Sequence, residues 1–76
     1  MMIQILGTGC AKCQELEKLV KAVVAETGTA ATVEKVTDLK QIAAMGVFAT
    51  PAVVIDGVVK SVGGIPPKTD ILSWIA

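Results

Sequence analysis

The chain has 76 residues, room for one small domain, which at this size buries only about 60% of the surface its unfolded chain exposes. Seven lysines balance seven acidic residues, with no arginine, no histidine and almost no aromatic platform, a composition that excludes an ordinary nucleic-acid binder. Hydrophobic residues make up 53% of the chain, yet no apolar run approaches the ~20 residues that cross a bilayer.

Met2 to Leu6 is a short apolar run ending in Gly7-Thr8-Gly9, the pattern of a buried strand entering a loop. No basic segment or small-residue cleavage site precedes it, so no signal peptide is expected and a cytoplasmic location is. From Ala11 the period changes. Cys13, Leu16, Val20, Val23 and Thr27 recur at helical spacing, with Lys12, Glu15, Lys18 and Glu26 opposite, and Gly28 is the natural stop. Glu17 and Lys21 add an i,i+4 pair in the favourable order.

Ala31 to Val36 reads as a second strand. Asp38-Leu39-Lys40-Gln41 resembles a capping box that opens a short helix through Ile42 and Met45, stopping at Gly46. In Thr50-Pro51-Ala52-Val53-Val54-Ile55-Asp56-Gly57-Val58-Val59-Lys60, two β-branched runs flank Asp-Gly, a strong hairpin signal. Gly63-Gly64 ends the later strand. Pro66-Pro67 leads into a terminal helix from Lys68 to Ile75 with a stripe of Ile71, Leu72 and Ile75, and proline is expected at its first position. The predicted order is β-α-β-α-β-β-α, an α/β domain spanning residues 1–76.

Chemistry concentrates in Gly9-Cys10-Ala11-Lys12-Cys13, which holds the chain's two cysteines. In a reducing compartment so close a pair points to metal binding or catalysis before a structural staple. If the helix opens at or just after Cys10, that residue sits at the exposed N-terminus while Cys13, one turn in, points down the apolar face. Unpaired amides, the helix dipole and Lys12 between the cysteines favour a thiolate at Cys10 and leave Cys13 the more protonated partner. Disulfide exchange needs that asymmetry: Cys10 is the candidate nucleophile and Cys13 the candidate resolving thiol. A closed zinc site would need four ligands and finds two here, so only a dimer would complete it. Two thiolates suffice for a soft-metal carrier, and the segment superficially resembles the copper-chaperone pattern Met-x-Cys-x-x-Cys. Thr8 stands where that pattern has Met, and those domains run β-α-β-β-α-β.

A strand, a glycine-bearing turn, Cys-x-x-Cys opening a helix, and Thr50-Pro51 entering a β-hairpin together resemble the thioredoxin/glutaredoxin superfamily, most closely its small archaeal and bacterial redox-active disulfide proteins of Gly-x-Gly-Cys-x-x-Cys type. The resemblance covers the whole chain and implies a minimal thioredoxin fold: a four-stranded mixed sheet flanked by helices. It implies a redox-active Cys10–Cys13 disulfide with no bound cofactor or metal, and a monomer that reduces protein disulfides and is recycled by a thioredoxin-reductase-like flavoenzyme. Nucleic acid and membrane are not expected partners. Pro51 matches the family's cis-proline, whereas only about 5–6% of such bonds are cis in folded proteins at large; Thr50 beside it would pair with an extended substrate segment.

Departures are equally specific. Ala11-Lys12 replaces the Gly-Pro of thioredoxins and the common Pro-Tyr of glutaredoxins. Gly9 replaces a tryptophan, and Gln4 stands where thioredoxins carry a buried acid, so the Cys13 proton needs another acceptor. Gly63-Gly64 matches the glycines at which glutaredoxins dock glutathione, but Ile65-Pro66-Pro67-Lys68-Thr69-Asp70 lacks the acids that follow them, so the pair reads first as close backbone approach at the rim of the site. Trp74 is expected to cap the core, and Phe48 to pack into it rather than to meet substrate. Lys12 is expected to tune the pair. The rivals to a disulfide reductase are the soft-metal carrier and a redox-sensing binding module without turnover.

Overall fold

A computed structural model describes residues 1–9 and 11–75. The elements are β1 (Met2–Leu6), α1 (Ala11–Thr27), β2 (Thr32–Val36), α2 (Leu39–Ala44), β3 (Ala52–Ile55), β4 (Val58–Val62) and α3 (Lys68–Ile75). They form a four-stranded mixed sheet in the order β2-β1-β3-β4, with β2 parallel to β1 and each remaining pair antiparallel. This is the thioredoxin-like α/β fold that the resemblance implied, with the element order expected from the sequence.

Side-chain alternation along the central strands divides the core between two faces. Ile3, Ile5, Val53 and Ile55 meet the α1 stripe of Leu16, Val20 and Val23 and the α3 residues Ile71 and Ile75. Trp74 is partly buried against this layer, where it was expected to cap the core. On the opposite face Leu6, Val36, Ala52 and Val54 pack with Ile42 of α2 and Val47. The four residues of β3 are all buried because helices cover the sheet on both sides of it.

Some local expectations shift. Thr27 is exposed rather than part of the α1 stripe; its hydroxyl donates to the Val23 carbonyl at 2.9 Å. Asp38 does cap α2, its Oδ1 accepting from the Lys40 amide at 2.9 Å, while Gln41 helps to line a cavity of ≈ 290 Å³ with Gln4 and Glu34. Pro67 lies just before α3, its carbonyl accepting from Asp70 and Ile71 at 3.0 and 3.3 Å. The Asp56-Gly57 turn has φ of 49° and 84°, the paired positive values of the tight hairpin turn that matches strand twist. Glu17 lies between two lysines, 3.6 Å from Lys21 Nζ and 3.6 Å from Lys35 Nζ on β2.

The edge strand β4 leaves Val58, Val59 and Val62 exposed. Its register slips where Val53 pairs Ser61 but Val54 pairs Val59, which leaves Lys60 as the extra residue of a bulge. A bulge bearing a lysine blunts an apolar edge against pairing with another strand.

Candidate active site

Three strands end in register at one end of the sheet. Leu6 pairs with Ala52, and Ala52 with Val62. The next residues outward are Gly7 after β1, Pro51 before β3 and Gly63 after β4. Gly7 is buried, and its amide donates to the Val36 carbonyl at 2.9 Å, carrying the β1–β2 ladder one step further. The Thr50–Pro51 peptide bond is cis, with Pro51 fully buried and Thr50 exposed. The Gly63 and Gly64 amides both reach the Pro51 carbonyl, at 2.9 and 3.3 Å.

Cys13 arrives at this row from the first turn of α1. It is 4% exposed, and its sulfur lies directly against Gly7, where a β-carbon on that residue would collide with Sγ. The same β-carbon would stand 3.9 Å from Thr50 Cβ, so Gly7, Cys13 and Thr50 converge on one point. The expectations for Cys10, as nucleophile and as disulfide partner, lie outside the described residues. The helix that follows it starts at Ala11 and carries no acidic residue in its first turn to oppose the positive end of the dipole. Lys12 is exposed, and Gln14 Nε2 donates back to the Gly9 carbonyl at 3.4 Å.

The site continues into a cleft. A cavity of ≈ 310 Å³ is lined by Leu39, Ile42, Ala43, Val47, Phe48 and Thr50. Phe48 corrects its sequence reading: it is 86% exposed and packs into neither core layer, because it sits outside the regular elements on the loop between α2 and Thr50. Among the described residues no hydrogen bond engages the Thr50 backbone. Gln4, in the place of the family's acid, gives its amide to Glu34 Oε1 at 3.2 Å. Gly7 was missed as a site residue; a glycine at a strand end carries no local sign that a sulfur from elsewhere will rest on it.

A family model described as a thioredoxin domain matches residues 1–76. The chain belongs to the thioredoxin family. It is 44% identical over 71 residues to a thioredoxin of Methanothermobacter thermautotrophicus, covering 93% of this chain and 92% of that one. A thioredoxin of Methanocaldococcus jannaschii is likewise 44% identical over 71 residues, covering 93% of this chain and 81% of the relative. Membership places the chain in a family of thiol–disulfide oxidoreductases. Among the described residues of this thioredoxin-family chain, no helix is long and apolar enough to cross a membrane.

Proposed function

We propose that this chain reduces disulfide bonds in partner proteins through Cys10 and Cys13. The observation that carries the reading is the burial of Cys13 against Gly7, the residue that Thr50 also approaches, at the end of the sheet where α1 begins. A thiol held there is withdrawn from bulk solvent while its neighbour in sequence precedes a helix whose first turn has no acid. In this mechanism the Cys10 thiolate attacks one sulfur of the target disulfide, and Cys13 then displaces the product by closing Cys10–Cys13.

The target segment lies extended along Thr50, its backbone bonding to that residue's own as an added strand does. Leu39, Val47 and Phe48 give an apolar wall to the residue beside the target cysteine. The Gly63 and Gly64 amides are engaged with the Pro51 carbonyl, which weighs against their serving as a glutathione dock. A thioredoxin-reductase-like flavoenzyme returns electrons to the oxidised pair, and the chain acts as a monomer in the cytoplasm, its apolar edge blunted at Lys60.

The test is reduction of insulin by the protein with an electron donor supplied. Catalysed precipitation of the insulin B chain is the expected result. No catalysis, with tight copper(I) binding instead, would replace this reading with the soft-metal carrier; reversible disulfide formation without turnover would replace it with the sensing module. The midpoint potential gives the direction: near −270 mV, roughly thioredoxin's value, the pair is a reductant, and near −120 mV, roughly that of a strong oxidant, it is not.

A further inference from the structure

Gly7 shows no backbone reason to be glycine. It is absent from the positive-φ residues, and its amide makes a regular 2.9 Å bond to the Val36 carbonyl. Any L-residue adopts such a backbone. What forbids a side chain is the neighbour: a β-carbon at position 7 would collide with Cys13 Sγ and stand 3.2 Å from Cys13 Cβ. The space a side chain would fill is taken by the sulfur.

We propose that Gly7 is the positioning residue for the resolving step: its bare α-carbon forms the seat that holds the Cys13 sulfur at the end of β1, beside Thr50. The inference rests on the reading of Cys10 and Cys13 as the redox pair. In that step the Cys13 sulfur, having given its proton to water, attacks the Cys10 sulfur of the mixed disulfide. The Cys10–Cys13 bond forms as the Cys10–substrate bond breaks, and the electron pair leaves on the substrate thiolate, which takes up a proton. Over the whole cycle the dithiol loses two electrons and two protons and the substrate disulfide gains them.

A methyl group at position 7 leaves the sulfur one cheap response, rotation about χ1 to another staggered well, of which a helix permits few. Such a rotation moves the attacking atom by more than the about 1 Å that costs roughly 10²-fold in a positioned reaction. Attack by Cys10 on the target forms no bond to the Cys13 sulfur, whereas resolution does. Gly7→Ala therefore separates the two steps.

The experiment follows release of thionitrobenzoate when reduced protein reacts with one equivalent of the aromatic disulfide DTNB. In the parent protein the first equivalent of thiolate comes from attack and the second from resolution. In Gly7→Ala the first phase should stay within about twofold and the second slow by about 10- to 100-fold. A second phase unchanged in Gly7→Ala overturns the positioning role while leaving the dithiol reading intact. A parent protein with no second phase sinks the dithiol reading itself. A denaturation cycle with Cys13→Ala gives an independent check: removing the sulfur should recover most of the stability that Gly7→Ala loses, even where Gly7→Ala alone fails to fold. Strictly additive losses overturn the contact.

Discussion

The Gly63 amide donates to the Pro51 carbonyl at 2.9 Å, so the loop leaving β4 is fastened to the turn entering β3. Gly63 has φ of 79°, and a β-carbon there would stand 3.3 Å from Ala49 Cβ. Gly63→Ala therefore meets both an unfavourable backbone and a crowded neighbour, and should cost about 1–2 kcal/mol. Urea denaturation measures it. A variant as stable as the parent would show that the loop can move away from Pro51 freely.

Phe48 tests the apolar wall. At 86% exposure its truncation removes little folding energy, so Phe48→Ala should stay within about 0.5 kcal/mol of the parent in stability. Its effect should appear as a several-fold rise in KM for insulin with no change toward a small aromatic disulfide. An equal loss on both substrates would remove Phe48 from protein recognition.

The order of attack is read by trapping. Cys13→Ser should accumulate mixed disulfides through Cys10, and mass spectrometry of the linked peptides locates the sulfur. Trapping by Cys10→Ser through Cys13 instead would reverse the two roles, at odds with a Cys13 that is 4% exposed.

Lys12 is exposed, so its influence on a nearby thiolate is one that salt screens. Lys12→Ala should slow iodoacetamide modification of Cys10 at neutral pH by a few-fold, and the gap should close in high salt. A rate indifferent to both the substitution and the salt would leave the helix terminus as the sole tuning influence.

Leu16 is fully buried in the layer shared by α1, α3 and the sheet. Leu16→Ala should cost about 2–5 kcal/mol, the loss of buried methylenes together with the cavity left behind. In so small a domain that is a large share of total stability, visible in the thermal midpoint. A loss under about 1 kcal/mol would mean that the layer collapses around the gap.

Local periodicity carried most of the architecture. The recurrence of Leu16, Val20 and Val23 at three- and four-residue spacing gives α1, and Asp56-Gly57 between β-branched runs gives the hairpin, because both patterns arise from contacts near in sequence. The cis bond before Pro51 was not legible from residue type, since most such bonds are trans; it was expected only through the family resemblance. Nor was the site legible at Gly7, where the constraint comes from a sulfur six positions away, brought back by the fold. Phe48 escaped for a related reason: hydrophobicity predicts burial only when an element's period assigns the side chain a face, and Phe48 lies outside every regular element.

The sulfur's seat is assembled from residues 7, 13 and 50, and its rim is tied down at residue 63. No fragment shorter than residues 7–63, about three quarters of the chain, holds all four. An emerging or heat-loosened polypeptide would leave Cys13 a commonplace thiol, shielded only as the last strand locks home. Alkylation of Cys13 is thus a chemical gauge of nativeness.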